Sequence, residues 1–572
     1  MAKLNIPVGV SDFAELRSNG YYYVDKSGLI REMLTSSAAK VTLITRPRRF
    51  GKTLGMSMLE NFFDIRKDSR AWFEGLEIAS EKLFENLEIS GNRELCDQWM
   101  NQWPVIFFSL KDIDGLDFQS AYDRLVVQLS NLCKMHVYLL QSEAIDPDDK
   151  KVFLELKAGT ASEAQVGFSL NTLMRMMESY YRKPVILLLD EYDVPLAKAS
   201  SNGYYKEMLS VIKGMMSTAL KDNPFLKFAI ITGCLKIAKE SIFTGTNNLV
   251  SDTITDTRLN EYFGFIQKDV EQILRDAGSI DHLERVKSWY DGYHFGRMDV
   301  YCPWDVMNYI RDIQRDSDTR PKSYWMNTSD NGIIRSFIDI AGSNITKKLE
   351  TLLNGGYILQ RIDENLTYDY LHSSEDNLWS ILYLTGYLTS IRENELKEKL
   401  PDGISALMIP NAEIREIFET TVIQWFDDSA KAWDRKKMFS AVWKGDSRTV
   451  MEEMNRLLRK TISYHDYRED FYHAFLAGIF AGAGYVVESN KEHGEGRSDV
   501  VVYDPEEGRV AIFEAKYSKT LETMDTDCQK ALDQINEKMY AKEYEDDFDH
   551  ILCYGVSFFK KRCCIKLKDA KV

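Results

Sequence analysis

Short, wholly apolar runs alternate along the chain with longer stretches in which apolar residues recur every three or four positions. An apolar run without polar alternation is typical of a strand that is covered on both faces of a parallel sheet. The longer stretches, which include 54–63 and most of 119–180, follow the helical period instead. Strands that alternate with helices predict an α/β fold with a parallel sheet. The predicted strands are VTLIT at 41–45, WPVIFFSL at 103–110, VILLL at 185–189 and FAII at 228–231.

After residue 461 the pattern changes, because short strands follow one another closely. A helix of small and apolar residues begins at Glu469 and ends near Gly484. Closely spaced strands joined by a turn predict a hairpin, and the helices around it predict a second α/β domain. The predicted strands lie at 485–488, 500–503 and 510–516, and a further helical stretch surrounds 531–535.

Length and composition predict several globular domains. The chain has 572 residues, which exceeds what one hydrophobic core supports. Its 44% apolar and 28% charged residues are typical of folded, soluble proteins. The polar stretch 427–437 is the best candidate for a boundary before the last domain. The predicted division is a first domain at 1–260, a middle segment at 261–425, a helical linker at 426–460 and a last domain at 461–572.

Charge and cysteine usage exclude several classes of protein. The formal net charge of −16 argues against a protein that coats nucleic acid non-specifically, although it leaves room for a local basic groove. The N-terminal MAKLNIPVGV lacks the apolar core of a signal peptide, and no segment approaches 18 uninterrupted apolar residues. The 8 cysteines are scattered without a CxxC or Cys/His cluster, which predicts reduced thiols and no zinc site. We therefore expect a cytoplasmic protein without a membrane segment.

The stretch RPRRFGKT at 46–53 lies between the strand at 41–45 and a helical pattern. A strand, a loop ending in Gly-Lys-Thr and a helix are the arrangement by which a P-loop holds a nucleotide. The loop residues Arg49, Phe50 and Gly51 are expected to bind the nucleotide. Backbone N–H groups around the last two would cradle the β-phosphate at the positive end of the helix.

The next two residues complete the predicted phosphate site. Lys52 is expected to reach the β- and γ-phosphates, and the Thr53 hydroxyl is expected to bind Mg²⁺. The full P-loop pattern begins with glycine, whereas Arg46 stands at that position. Gly-Lys-Thr alone also fits an ordinary helix N-terminus with an exposed lysine, so the prediction depends on a second site downstream.

That second site is the acidic pair Asp190-Glu191, which follows the apolar strand at 185–189. Open α/β sheets bind ligands at this carboxyl edge. Asp190 is expected to hold the Mg²⁺ shared with Thr53, and Glu191 to orient and activate a water for attack on the γ-phosphate. An ordinary helix cap would explain the same two residues. The occurrence of this acid pair in the same chain as Gly-Lys-Thr favours the nucleotide site over the helix cap.

Other residues of this part keep two interpretations. Thr232, at the end of the apolar strand 228–231, is expected to sense the γ-phosphate and so to belong to the nucleotide site. Lys236 and Lys239 fit phosphate contact and solvent exposure equally well. Tyr21–Tyr23 fit a nucleotide base or a hydrophobic core, and aromatic residues beside a helix are more often core. Residues 260–425 show no chemistry of their own, and their aromatic, turn-rich motifs are interpreted as structural corners.

The last domain carries a separate constellation. Glu514 and Lys516 are two apart on a predicted strand, so both side chains leave the same face. Asp499 begins the paired strand, and 514 − 499 = 15 positions separate the two acids. Two carboxylates to bind Mg²⁺ and a lysine to hold or deprotonate a water form the signature of PD-(D/E)xK phosphodiesterases. A hairpin with solvated charges would show the same short pattern.

Motifs along nearly the whole chain resemble the bacterial AAA-ATPase-like family that carries a C-terminal PD-(D/E)xK nuclease domain. They are YYYVDK, RPRRFGKT, LLLDEYDVP, ITGCLKIAKESIFTGTNNL, EYFGF, WYDGYHFG, YCPWDV, YWMNTSDNG and LTGYLT. The resemblance implies a P-loop NTPase core, a helical, winged-helix-like middle segment and a nuclease-like α/β domain. The family's arginine-rich loop accounts for Arg46, although the family has arginine where Lys236 stands. The resemblance also implies catalytic roles for Gln534 and Glu469, with Tyr540 as a further motif position.

These observations predict ATP and Mg²⁺ as cofactors, with Thr53, Asp190, Asp499 and Glu514 as metal ligands. The predicted function is binding and hydrolysis of ATP together with Mg²⁺-dependent cleavage of nucleic acid. The expected partner is nucleic acid, DNA ahead of RNA, and a homo-oligomer is left open. Two alternatives remain. One is an ATP-gated switch whose nuclease-like domain is a binding scaffold, and the other is an ATP-binding structural module without turnover.

Overall fold

The computed structural model describes residues 3–35, 39–80, 92–237, 249–325, 343–366, 375–396, 399–431, 436–461, 469–481, 485–493, 496–559 and 562–569. The chain divides into two compact units, the first formed by Met1–Ser329 and Tyr357–Arg415 and the second by Asp330–Gly356 and Glu416–Val572. The finer, four-part division stays a prediction. Within the described ranges, no helix combines the length and the apolar character needed to cross a bilayer.

The first unit contains a five-stranded parallel sheet. Its strands are β1 Val41–Thr45, β2 Val105–Ser109, β3 Val185–Asp190, β4 Leu226–Gly233 and β5 Leu249–Asp252. In space they follow the order β2, β3, β4, β1, β5. The first four coincide with the predicted apolar runs, and β1 and β3 are buried along their whole length. This confirms the α/β prediction with a parallel sheet, while β5 lies outside the predicted runs.

Helices connect these strands and pack on the sheet. The helix that follows β1 buries Met56, Leu59 and Phe63 in the same core as Ile44 and Leu188 of the sheet. The α-helices of this part are Phe13–Ser18, Gly28–Thr35, Lys52–Phe63, Arg70–Phe73, Asn92–Trp99, Phe118–Met135, Pro147–Ala158, Glu163–Gly167, Ser169–Tyr181, Val194–Asn202 and Tyr205–Leu220, with 3₁₀ turns at Glu77–Ala79 and Val137–Gln141.

The middle of the chain mixes helices with short antiparallel strands. A hairpin pairs β6 Tyr293–Phe295 with β7 Met298–Val300. A three-stranded sheet contains β8 Ile358–Arg361, β9 Thr389–Ser390 and β10 Ile404–Met408, with β10 in the centre. The helices are Gln267–Asp276, Leu283–Tyr290, Pro303–Ile313, Ser343–Leu353, Glu375–Leu384 and Ala412–Lys431, with 3₁₀ turns at Asn260–Tyr262, Ile280–His282 and Glu393–Glu395.

The C-terminal part is a mixed five-stranded sheet in sequential order. Its strands are β11 Val486–His493, β12 Gly496–Asp504, β13 Arg509–Tyr517, β14 His550–Phe559 and β15 Arg562–Asp569. All neighbours are antiparallel except β13 and β14. The predicted hairpin is present as β12 and β13, whereas β14 and β15 lie beyond the predicted elements. Helices of this part are Lys436–Trp443, Ser447–Thr461, Glu469–Ala481 and Met524–Glu537, with 3₁₀ turns at Pro505–Glu507 and Lys542–Tyr544.

Alternating residues of β12 and β13 face two different cores. Val500 and Phe513 belong to the core that the helices at 436–481 cover. Val501 and Ile512 belong to the core on the opposite face, together with Ile535 of helix Met524–Glu537. Because successive strand residues point to opposite faces, this alternation decides which polar residues share a face.

Candidate functional site

The order of the strands brings the predicted nucleotide-site residues to one edge of the first sheet. β4 lies between β3 and β1, and Thr45 at the end of β1 pairs with Gly233 at the end of β4. Asp190 ends β3, and Thr232 lies one residue before the end of β4. Parallel neighbours present their carboxyl ends together, so the loop after Thr45 opens beside both residues.

Gly51 sets the geometry of that loop. Its φ of 82° lies in the left-handed region that favours glycine. Space is not the constraint, because a Cβ at this position would meet nothing within 4 Å. No side chain caps the helix that begins at Lys52. The first N–H groups of this helix therefore face the loop, which is how helix N-termini bind phosphate.

The Lys52 side chain is folded back into the loop. It is only 4% exposed, and its Nζ donates to the carbonyl oxygens of Arg46 and Pro47, both at 2.9 Å. The Cys234 sulfur lies 3.7 Å away. The ammonium group thus sits at the centre of the loop, where an anion held by the backbone would meet a positive charge.

Asp190 links the two hydroxyls predicted to surround the nucleotide. Its Oδ2 accepts a hydrogen bond from Thr53 Oγ1 at 2.8 Å, and its Oδ1 accepts one from Thr232 Oγ1 at 2.5 Å. The Asp190 side chain is fully buried. A carboxylate and a hydroxyl in direct contact at the phosphate loop form the donor set that holds Mg²⁺ in P-loop proteins.

Glu191 adopts a backbone conformation that is rare for a residue with a side chain. Its φ is 52°, in the left-handed region. Burial raises the pKa of its carboxyl, the Lys52 charge opposes that shift, and Asp190 and Asp193 add to it. Strain at a cavity wall is typical of functional positions. A carboxyl whose pKa is raised toward neutrality is suited to accept a proton.

Arg46 does not face the expected ligand, because its side chain is sealed inside the protein. Its guanidinium donates to Asp252 Oδ1 at 2.5 Å, to the Asp252 carbonyl at 3.0 Å and to Asn260 Oδ1 at 2.8 Å. Phe263 and Phe295 lie under the guanidinium at 5.5 and 5.8 Å. The arginine that replaces the first P-loop glycine therefore anchors the loop to the segment after β5.

Arg49 and its neighbours tie the loop to the middle of the chain. The Arg49 guanidinium lies 5.3 Å from the Trp304 ring and 5.6 Å from the Trp325 ring. It also donates to the Tyr324 carbonyl at 3.3 Å. These partners lie in the YCPWDV and YWMNTSDNG motifs, which sequence patterns left without chemistry.

Phe50 and Pro47 also contact residues from the middle of the chain. The Phe50 ring packs against Tyr293 and Phe295, with centroids 5.0 and 5.1 Å apart. A Cβ at Gly386 would lie 2.9 Å from Pro47 Cβ, and the φ of Gly386 is 90°. The close approach to Pro47 and the positive φ therefore both require glycine at position 386. The EYFGF, WYDGYHFG, YCPWDV, YWMNTSDNG and LTGYLT motifs all contribute residues around this loop.

A cavity of about 290 Å³ opens beside the loop and has two chemically different ends. Arg49, Gly51, Lys52, Thr53 and Glu191 line its polar end. The other end is mostly apolar and aromatic, with walls from the N-terminal segment and from helix Pro303–Ile313. Its lining includes Pro7, Val8, Val10, Tyr22, Tyr23, Phe265, Pro303, Trp304, Met307 and Asn308.

The second predicted site lies on one face of the C-terminal sheet. Asp499 precedes Val500 and so faces the same side as Val501, and Glu514 and Lys516 continue the alternation of Ile512. All three predicted residues therefore face helix Met524–Glu537. The hairpin register, which the sequence pattern anticipated, is what brings them together.

Their contacts show a compact acid–lysine cluster. Asp499 Oδ2 accepts from the Ala515 backbone N–H at 2.7 Å, and Glu514 Oε1 accepts from Lys516 Nζ at 3.0 Å. Burial and the nearby Asp499 charge raise the pKa of Glu514 to about 7, although Lys516 opposes the shift. Glu514 is 1% exposed, so its charge is held out of water beside another carboxylate.

Gln534 and Tyr540 lie beside this cluster. Gln534 Nε2 is 3.5 Å from the Tyr540 hydroxyl. Burial raises the pKa of Tyr540, and the charges of Glu514 and Asp499 contribute to the shift. Helix Met524–Glu537 thus brings the predicted glutamine to the face that carries the acids.

Glu514 gives a structural test for a bound cation. Its Oε2 is buried and has no hydrogen-bond partner in the part of the chain that the structure describes. A buried carboxylate oxygen without a donor, next to a second carboxylate, fits a divalent cation. Within the same described ranges, no group of three or more His, Cys, Asp or Glu side chains is close enough to hold a metal. Among the described residues, Asp499 and Glu514 are therefore the two carboxylates available to a cation at this position.

Some predicted residues stay predictions. Glu469 begins a helix of the last domain, but its side chain lies outside the described residues, as does Lys239. Lys236 is half-buried, two residues beyond Cys234. Neither the phosphate-contact nor the solvent interpretation of Lys236 is decided.

Comparison with known families agrees with this geometry. A family model described as a predicted AAA-ATPase matches residues 7–243, and one described as the PD-(D/E)XK nuclease superfamily matches residues 467–568. The chain joins an AAA-ATPase-like domain to a PD-(D/E)XK superfamily domain. It is also similar to an uncharacterized protein in the vnfD 5' region of Azotobacter chroococcum mcd 1, with 23% identity over 98% of this chain and 97% of that protein. The family predicted from the motifs is confirmed.

Beside the P-loop of the AAA-ATPase-like unit lies a buried acid pair that the sequence did not reveal. Asp305 and Glu413 are both fully buried and interact with each other. Glu413 Oε1 accepts from the backbone N–H groups of Tyr324 and Trp325 at 2.6 and 2.9 Å. Burial raises the pKa of both carboxyls, and the Arg49 charge partly offsets this at Asp305. The only sequence signal was an acid directly after Pro303-Trp304.

Proposed function

We propose that the AAA-ATPase-like domain binds and hydrolyses ATP, and that the PD-(D/E)XK domain cleaves phosphodiester bonds in nucleic acid, DNA ahead of RNA. The convergence of Lys52, Thr53 and Glu191 at a cavity, with Asp190 bound to Thr53, carries the first half. The pairing of Asp499 with the buried Glu514 beside a lysine supports the second half.

In the ATP site each residue has a separate task. Lys52 exchanges its two carbonyl acceptors for phosphate oxygens, which form stronger, charge-assisted hydrogen bonds. Glu191 orients the attacking water and accepts its proton, since its raised pKa suits a base. Thr232 holds Asp190 in place and lies where a γ-phosphate contact is expected.

The ligand sets of both sites fit Mg²⁺. Thr53 and Asp190 would hold it in the first site, and Asp499 and Glu514 in the second. When bound, the cation neutralises charge on phosphate oxygens. In the second site Lys516 holds the attacking water, and Gln534 lies beside the cluster through its contact with Tyr540.

The apolar end of the cavity is the proposed site of the base. Asn308 lines it and is buried, and its Nδ2 donates to the Trp304 carbonyl at 2.8 Å. A carbonyl only accepts, so the amide nitrogen must face Trp304, and Oδ1 remains as an acceptor. An acceptor suits the 6-amino group of adenine and disfavours the 6-oxo group of guanine.

The ATP half is tested by phosphate release and nucleotide binding with the full chain. We expect the wild-type chain to bind ATP more tightly than GTP. The Asn308→Leu variant should lose about tenfold in affinity for ATP, and its affinity for GTP should change little. Met307→Leu, on the same wall but without a hydrogen-bonding group, is the matched control. Absence of any nucleotide binding to the wild-type chain would refute the proposal.

The nuclease half is tested with a panel of single- and double-stranded DNA and RNA. Each substrate is incubated with Mg²⁺ or Mn²⁺, with ATP and without it. We expect cleavage of at least one DNA substrate that stops when the divalent cation is chelated. Cleavage that persists in the Asp499→Ala protein would come from another source.

A second function is favoured by the packing around the loop, namely an ATP-gated switch whose nuclease-like domain only binds. Arg49 between Trp304 and Trp325 gives the middle segment direct contact with the nucleotide loop. If ATP shifts a two-state equilibrium, nucleic acid must tighten ATP binding by the same factor. ATP is titrated into the Glu191→Gln protein with and without saturating oligonucleotide. Coupled affinities without cleavage would favour the switch, and equal affinities would exclude coupling.

A further inference from the structure

Two cysteines of the second unit lie side by side although 36 positions separate them. Cys528 is on helix Met524–Glu537, and Cys564 is on β15. Cys528 Sγ lies 3.0 Å from the Gly555 carbonyl oxygen and 3.4 Å from that of Cys564. Cys563 and Ile565 face the core on the other side of β15, so the Cys564 side chain lies on the face that helix Met524–Glu537 covers. Neither cysteine takes part in the proposed ATP hydrolysis or nucleic-acid cleavage.

Glycine at 555 makes this approach feasible. A Cβ there would lie 2.5 Å from the Cys528 carbonyl oxygen and 2.9 Å from the Leu532 nitrogen. The helix backbone therefore rests directly on β14, and the Cys528 side chain reaches the backbone of β15. Lys566 Nζ, on β15, binds the Asp525 carboxylate at 2.9 Å and so holds the start of the helix beside Cys564.

The two thiols have unlike surroundings. Cys528 is 0% exposed, whereas Cys564 is half-buried and can meet solvent. Interaction with Cys528 and the Lys566 charge lower the pKa of Cys564 to about 7, while burial and the Asp525 charge oppose the shift. A partly exposed thiol next to a cation and a buried second thiol is the arrangement of a reactive cysteine with a resolving partner. The adjacent Cys563 is buried and faces Met451 instead.

We propose that Cys564 and Cys528 form a reversible thiol–disulfide site that responds to peroxide. The Cys564 thiolate attacks one oxygen of hydrogen peroxide, so that an S–O bond forms, the O–O bond breaks and the leaving hydroxide takes a proton from solvent to give water. Cys528 sulfur then attacks the sulfenic sulfur. The S–S bond forms, the S–O bond breaks, and the leaving hydroxide takes the Cys528 proton as a second water. Sulfur is oxidised and peroxide is reduced, and two equivalents of a small thiol reduce the disulfide back to the two thiols while forming their own disulfide.

The test uses the folded full-length chain, freed of reductant, treated with stoichiometric hydrogen peroxide and then alkylated. After trypsin digestion we expect the peptide 520–530 to be joined to the peptide 563–566, and dithiothreitol to release both. Cys553, a buried cysteine of β14 in the same unit, is the internal control and should stay alkylatable as a free thiol after denaturation. The proposal would be overturned if these two peptides stay separate at a peroxide concentration that oxidises an exposed model thiol.

Two variants separate the neighbouring cysteines. Cys564→Ser should abolish the cross-link, whereas Cys563→Ala should retain it, because Cys563 faces the other side of the strand. The reverse result would overturn the assignment. Because the readout is the mass of the peptides, the test succeeds or fails independently of ATP hydrolysis and of nucleic-acid cleavage.

Discussion

The two proposed sites use the same functional groups, an acid pair and a lysine, but the groups are balanced differently. In the ATP site both oxygens of Asp190 accept hydroxyl hydrogen bonds, and Lys52 is occupied by two carbonyls. In the nuclease site one oxygen of Glu514 is buried without a donor among the described residues, and a second carboxylate lies nearby.

This difference has a physical meaning. The first site is already satisfied internally, so its ligand must displace existing hydrogen bonds. The second site holds two carboxylates against one lysine, and a cation would offset the remaining negative charge. We therefore expect the stability of the protein to change in opposite directions when one acid is neutralised in each site.

The largest expected effect is a double dissociation of the activities. Glu191→Gln should lower ATP hydrolysis by about 10²- to 10⁴-fold while ATP still binds, because only the proton acceptor is lost. Asp499→Ala should lower cleavage at least as much and leave ATP hydrolysis unchanged. The rates of ATP hydrolysis and of nucleic-acid cleavage are measured for each of the two variants. Hydrolysis at the wild-type rate in Glu191→Gln would remove Glu191 from its assigned role.

The next effect concerns the anchor of the loop. Arg46→Met leaves the buried Asp252 without its main partner, and breaking a buried pair from one side costs about 3 kcal/mol. Arg258→Met is the matched control, because Arg258 binds the same carboxylate at 3.3 Å but is a quarter exposed. Urea unfolding measures both. Equal destabilisation by the two variants would mean that Arg46 is not the anchor.

The sharpest comparison neutralises one acid in each site. Without divalent cations, Glu514→Gln should stabilise the protein by about 1 kcal/mol, because it removes a buried charge next to Asp499. Asp190→Asn should destabilise it by about the same amount, because two charge-assisted hydrogen bonds weaken. Thermal unfolding in the presence of a chelator measures the direction of the stability change in each variant.

Adding Mg²⁺ completes that comparison. The cation should raise the unfolding temperature of the wild-type chain, and Glu514→Gln should abolish most of the increase. Stabilisation of equal size in both proteins would show that the cation binds elsewhere.

The smallest effect is a pH dependence at the buried acid pair beside the loop. The pKa of Glu413 is raised by burial and by Asp305, so the folded chain keeps a proton that the unfolded chain releases. Wild-type stability must then fall as pH rises above the unfolded pKa. Glu413→Gln removes this loss, so its advantage over wild type should grow steadily from about pH 5 to about pH 8. A pH-independent difference between the two unfolding curves would contradict the assignment.

Local pattern was sufficient for the first four strands of the ATPase sheet and for the hairpin that carries Asp499 and Glu514. Each is marked by an apolar run or by alternation over a few residues, which neighbouring residues alone specify. The same reasoning missed β14 and β15 and could not relate residues 260–415 to the loop, because those contacts join distant parts of the chain.

By itself the sequence determined the two domain families, and it was sufficient to predict the phosphate loop, the acid pair at Asp190 and the acid–lysine pattern at Glu514. These are properties of residue type and short spacing, and the chemistry of phosphate and cations demands them. Only the tertiary structure decided that Arg46 faces Asp252 and that Asp305 meets Glu413. The same holds for Cys528 and Cys564. Burial and long-range pairing set those contacts, because a side chain's partners depend on which strands and helices become neighbours.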